Sequence, residues 1–172
     1  DAANPGDIVR LGDYDYTDVS DVNITKDVAI AGSEGTTLTS AGDGNPIFNV
    51  PAKSENGPDS VNITGIDFKV NNGDVIVKAI AENDTNPLSI DTQAISITGN
   101  TIEAANEDVV PESVTVLQLE SERGVLAPTN DIAISGNTMD AGINPFDFDV
   151  TSVVSGSDVN IPSGPITKDR TE

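Results

Sequence analysis

Apolar residues alternate with small or polar ones in short runs along this chain, and one run keeps returning. It reads VAIAGS at 28–33, VNITGI at 61–66, ISITGN at 95–100 and IAISGN at 132–137, with a weaker fifth copy, VNIPSG, at 159–164. In the first four, aliphatic residues sit at alternate positions and a glycine follows, the period of a strand with one buried face and a turn behind it. The first residues of the copies, Val28, Val61, Ile95, Ile132 and Val159, lie 33, 34, 37 and 27 positions apart. That is too regular for chance and too uneven for a tandem duplication, so the period belongs to the structure. Further alternating runs fall between the copies: IFNV, IDFKV, DVIV, VTVLQL and DFDV. Turn chemistry separates them, in AGDGNP, ENGPD, VNNGD, NDTNP and GINP. No stretch holds a helical period; AANEDVVPES comes nearest, and Pro111 closes it early.

A unit of about 34 residues made of several short strands predicts a solenoid, in which no coil buries its apolar face without its neighbours. A β-sandwich also has many short strands, but nothing in it repeats one phrase at one phase. The expectation is an all-β chain forming one domain: an opening coil over 1–27, repeated coils over 28–161 and a polar tail over 162–172. Composition supports this. At 172 residues there is room for one core, and Val and Ile supply most of the 36% hydrophobic content while aromatic residues make up 3%.

Charge and missing residue types narrow the function. With 29 acidic residues against 8 basic ones the net charge is −21, which repels nucleic acid and anionic lipid. The chain has no Cys and no His, so disulfides, thiolate sites and the commonest general base and zinc ligand are all missing. No apolar run approaches a membrane span, so neither nucleic acid nor membrane insertion is expected.

Two stretches carry a family resemblance: the opening phrase NPGDIVRLGDYDYTDVSDVNITKDVAIAGSEGTTL at 4–38, and the corners Ile97-Thr98-Gly99-Asn100-Thr101-Ile102 and Ile134-Ser135-Gly136-Asn137-Thr138-Met139. Together they resemble the right-handed parallel β-helix of the pectin-lyase-like superfamily, and in particular the β-helix repeats of archaeal and bacterial surface proteins such as sheath and surface-layer proteins. The resemblance covers about 4–150. It implies a right-handed parallel β-helix of about five coils, with Asn100 and Asn137 stacking amide on amide. It also implies a capping helix ahead of the first coil. The opening DAANPGD resembles only the tail of such a cap, and no helix-forming run precedes it.

The candidate sites are of three kinds. Asn23, Asn62 and Asn83 each begin an N-x-T pattern and are candidate glycosylation acceptors, Asn83 in a turn and the others within predicted strands. Asp13, Asp15 and Asp18 crowd together in DYDYTD, a weak candidate for Ca²⁺, without the glycine and closing glutamate of an EF-hand loop. Ile8, Val9 and Leu11 near one end, and Val159 and Ile161 near the other, are candidate assembly residues. No catalytic residue is assigned and no cofactor other than Ca²⁺ is considered: arginines at 10, 123 and 170 are scattered, sugar-stacking aromatics are scarce, and a polysaccharide lyase or glycosidase is not expected.

The expected function is therefore structural. Stacked parallel strands expose unpaired backbone at both ends, and if one block continues the next, copies join head to tail. The chain is expected to be an extracellular protein of a cell sheath, surface layer or filament, with itself as partner and glycans or divalent cations as accessories. The alternative is a carbohydrate-binding or adhesin β-helix module of a larger surface protein.

Overall fold

The computed structural model describes residues 3–53, 57–80, 93–121, 130–150 and 167–168, and the alternating runs form the strands of three parallel sheets. The first sheet stacks β1 (Asp7–Arg10), β4 (Val28–Ala31), β7 (Ser60–Thr64), β10 (Ala94–Thr98), β13 (Asp131–Ser135) and β16 (Thr167–Lys168). The second stacks β2 (Asp15–Val19), β5 (Thr37–Ser40), β8 (Asp67–Val70), β11 (Thr101–Ala104) and β14 (Thr138–Met139). The third stacks β3 (Val22–Asn23), β6 (Phe48–Val50), β9 (Val75–Ile80), β12 (Thr115–Ser121) and β15 (Asn144–Val150). Neighbours in every sheet are three strands apart in the chain, so each coil visits each sheet once. This is a parallel β-helix of five three-sided coils, with β16 entering a sixth pass.

The repeated phrase is the first sheet. Ile30, Ile63, Ile97 and Ile134 stand in register one above another, and all four are buried. Leu38, Phe68 and Ile102 make the matching column in the second sheet, and Val77 and Leu117 in the third. β-branched side chains suit these columns because their stiff χ1 angles let identical shapes nest on a pleated surface. Phe48 and Phe68 meet edge to face with centroids 6.4 Å apart, the one such aromatic pair in the described core.

The strand that pairs with β13 is Thr167–Lys168, with Ala133 opposite Thr167 and Ile134 opposite Lys168. The 34 residues from Ile134 to Lys168 match the earlier spacings. The fifth copy of the phrase, at 159–164, lies outside the described residues, and β16 falls within the stretch 162–172 expected as a tail. Among the described residues there is no α-helix. AANEDVVPES forms a loop with a 3₁₀ turn at Pro111–Ser113 and tucks Val109 into the core.

Candidate functional site: the first coil and the buried corners

All three sheets end at the first coil: β1 pairs with β4, β2 with β5 and β3 with β6, and among the described residues no strand pairs with their other edges. Strand alternation sets the directions here. Val9 lies opposite buried Ile30 and faces the core, whereas Ile8 lies opposite Ala29 and faces outward, 55% exposed. Leu11, just past β1, is half-buried and packs against the core. Between the first and third sheets the core opens as an apolar groove of about 380 Å³, lined by Val9, Val22, Ile24, Val28 and Ile30. Lys26 closes part of its rim by donating from Nζ to the Ala3 carbonyl at 2.6 Å.

This coil is also irregular and acidic. Asp7, Asp13, Asp15, Asp18, Asp21 and Asp27 face two cations, Arg10 and Lys26, within residues 3–27. Asp18 and Asp21 adopt left-handed backbone, φ 56° and 55°, a conformation that costs a non-glycine residue energy, and the β2–β5 register slips between Tyr16 and Val19. A slipped, charged edge pairs poorly with another strand unless its charge is screened. Asp15 and Asp18 are exposed on β2, and the Asp13 carboxylate packs over Gly35. Among the described residues no group of three or more carboxylates is arranged to hold a metal ion.

The corner between the first and second sheets carries the asparagines. Gly65, Gly99 and Gly136 turn it with φ of 69°, 65° and 62°, and the next residue points inward. Asn100 accepts from the Ile66 backbone N–H at 3.1 Å and donates to the Ile63 carbonyl at 3.0 Å, both one coil back. Asn137 repeats this one coil on: its Oδ1 accepts from the Asn100 N–H at 2.9 Å and from the Asn100 side-chain amide at 3.0 Å, and its Nδ2 donates to the Ile97 carbonyl at 2.8 Å. Each amide thus satisfies backbone groups that the sharp turn takes out of the ladder, which is what a buried polar group must do. One coil earlier than Ile66, buried Thr36 holds the corner, donating to the Gly12 carbonyl at 2.8 Å and accepting from Ser33 N–H at 2.8 Å.

Two further buried clusters escaped the sequence reading. Before the first sheet, Asn130 donates to Gln93 Oε1 at 3.2 Å, and Gln93 donates to the carbonyls of Pro51 and Pro58 at 2.9 and 3.1 Å. Between the second and third sheets, Asp74 is fully buried; its Oδ2 accepts from the Ser40 hydroxyl and from Asn71 N–H, and its Oδ1 has no partner among the described residues. Outside that corner a shallow polar groove of about 370 Å³ is lined by Gly42, Asn71, Asn72, Asn106 and Asp108. Asn72 spans it, accepting from Val110 N–H at 2.6 Å and donating to the Asp108 carbonyl at 3.2 Å. On the neighbouring turn, a hydrogen bond from the Asn45 backbone N–H holds the Asp43 carboxyl below its usual range.

Of the glycosylation candidates, Asn23 on β3 and Asn62 on β7 are exposed, and Asn83 lies outside the described residues, as do Val159 and Ile161. Compared with protein-family models, with curated proteins and with solved structures, the chain matches none.

Proposed function

We propose that this chain is a structural module of an extracellular coat, a cell sheath, surface layer or filament, that polymerises by stacking one β-helix end on another. The observation that supports the reading is the first coil, where three sheets present strand edges that no described strand pairs with, around an apolar groove. The resemblance to the right-handed β-helices of archaeal and bacterial surface proteins adds to it, and no chemistry beyond assembly is assigned. The partner is a second copy, whose last coil continues the three sheets at about 4.8 Å per layer. The crowded aspartates of the first coil make joining depend on salt or on divalent cations such as Ca²⁺, which screen or bridge them.

A second reading, a carbohydrate-binding or adhesin module, draws on the polar groove lined by Asn71, Asn72, Asn106 and Asp108. Electron microscopy in low-salt and calcium buffers separates the two. Ordered filaments, sheets or tubes with a layer line near 4.8 Å support assembly. Discrete particles in both buffers, with binding to a polysaccharide array, support the module reading. In the first case Val9→Lys abolishes assembly and leaves the circular dichroism spectrum unchanged, because Val9 is 36% exposed at the open end and a charge there reaches water.

A further inference from the structure

We infer that the Asn72-Gly73 peptide is a site of self-modification, where Asn72 deamidates through its own backbone once the loop that latches it opens. The inference rests on neither reading of the function.

The chain has two Asn-Gly pairs, at 56–57 and 72–73, and Asn56 lies outside the described residues. Asparagine before glycine is the pair most open to this chemistry, because no side chain shields the nitrogen that attacks. Asn72 and Gly73 are exposed in a turn that the Asp74 N–H closes by donating to the Asn71 carbonyl at 3.3 Å. Gly73 has φ 76° and open space where a Cβ would stand. In the reaction the Gly73 nitrogen attacks Asn72 Cγ. The new N–Cγ bond closes a succinimide ring, the Cγ–Nδ2 bond breaks, and Nδ2 leaves as ammonia with the proton that Gly73 gives up. Water then opens the ring at either carbonyl, giving isoaspartate or aspartate. One water enters and one ammonia leaves, so no oxidant or cofactor is required.

The folded contacts oppose the first step. Asn72 Oδ1 accepts from the Val110 N–H at 2.6 Å and from the Ser113 hydroxyl at 3.3 Å, and its Nδ2 donates to the Asp108 carbonyl at 3.2 Å. The attacking Gly73 N–H is itself held, donating to Ser113 Oγ at 3.1 Å. Both reacting groups are therefore tied to one loop, the stretch between β11 and β12. Ring closure turns the carboxamide toward its own backbone and gives up those bonds, so it follows opening of the loop.

The product does not latch again. Aspartate at 72 has no N–H for the Asp108 carbonyl and sets a carboxylate oxygen against it. Isoaspartate runs the main chain through the side-chain carbon and lengthens the turn ahead of Asp74, whose buried carboxylate accepts from Asn71 N–H and seats the start of β9. A transient opening of the loop becomes a permanent one, and the polar groove lined by Asn71, Asn72, Asn106 and Asp108 changes with it.

The test holds the chain in warm, mildly alkaline buffer, folded or unfolded in urea. Peptide mass mapping and labelling by an isoaspartyl methyltransferase follow residue 72. Reaction in the folded wild type is expected to be at least about tenfold slower than in urea, since only the open fraction reacts. Folded Ser113→Ala, which removes one exposed hydroxyl, is expected to react about threefold faster than wild type, the equivalent of one weak hydrogen bond. Equal rates folded and unfolded, or an S113A rate equal to wild type, overturn the latch; no reaction at Asn72 even in urea overturns the site. Hydrogen exchange then compares fresh and aged chains. The Val110 amide is protected in fresh wild type and loses protection after conversion, whereas Asn72→Gln, which closes the larger ring far more slowly, is unchanged by ageing. Protection retained in the converted chain, or lost on ageing in N72Q as well, overturns the one-way step.

Discussion

Asn100 shows how much one side chain carries in a stacked fold. Its carboxamide serves two backbone groups in the coil before it and one amide in the coil after it. Asn100→Ala strands the Ile66 N–H and the Ile63 carbonyl in the core, at about 1–3 kcal/mol for each unsatisfied group, so the urea midpoint falls by the equivalent of about 2–6 kcal/mol. Asn100→Asp keeps the shape but turns a donor into an acceptor facing the Ile63 carbonyl and Asn137 Oδ1, and is expected to be at least as damaging. Equal stability of wild type and N100D would show that the amide is replaceable by any residue of its size. Glycines at this corner differ in the same local way. Gly99→Ala forces a side chain into left-handed backbone at about 1–2 kcal/mol. Gly32→Ala costs more, because its Cβ would overlap the Gly65 carbonyl oxygen of the next coil; thermal midpoints of the two variants order them. Asn100 and Asn137 were visible in the sequence because both follow a glycine at one phase. Thr36 does similar work invisibly, since the longer 32–36 corner shifts the phase and a hydroxyl replaces the amide. Gln93 and Asn130 were hidden because residue types alternate down that column and nothing in the local pattern marks them as buried.

At the scale of the strand and the coil, the reading of the sequence was strongest where side-chain period and backbone geometry coincide. The first sheet repeats one phrase because the second to fifth coils each need an inward aliphatic pair, such as Val61 and Ile63 or Ile95 and Ile97, before a glycine; in the first coil Asp7 takes the first of these places. The third sheet was legible as strands and not as a repeat, since Phe48, Val77 and Leu117 fill one column with different shapes. Stacking also predicts how the coils come apart. Each coil is stabilised by two neighbours except at the ends, and free energies of local opening follow that count. Amides of β7 and β10, both flanked on either side, are expected to exchange slowest, and those of β1 to exchange at least about a hundredfold faster, a gap of some 3 kcal/mol. Hydrogen exchange read by mass spectrometry checks this; uniform protection from β1 to β10 would mean that the first coil is not an open end. Ile97→Ala, in the middle of the isoleucine column, is expected to cost about 2–5 kcal/mol and to lower protection in coils on both sides.

The whole molecule is set by a charge that its own fold does little to neutralise. Three ion pairs stand among the described residues, Lys53 with Asp59, Lys69 with Glu103 and Lys78 with Glu120, against 29 acidic residues in the chain. Each pair joins partly exposed side chains and contributes little. The remaining carboxylates repel one another at longer range, because the register sets Thr37 and Thr101 on either side of Asp67 and Gln118 beside Asp147 rather than another carboxylate. Raising NaCl from about 0.1 M to about 1 M shortens the Debye length from about 10 Å to about 3 Å, which weakens more repulsions than attractions here. Thermal unfolding is therefore expected to move to higher temperature with salt. Sucrose at matched stabilisation of an uncharged reference protein separates this from solvent exclusion, because it leaves charge repulsion unscreened. A midpoint that falls with salt would mean that the few ion pairs outweigh the many like charges. On the proposed end-to-end assembly, the same screening would let the aspartates of one first coil approach the end of the next copy. Both responses should begin over one range of ionic strength, and an assembly that begins only with Ca²⁺, at salt already sufficient to raise the unfolding midpoint, assigns the join to bridging carboxylates.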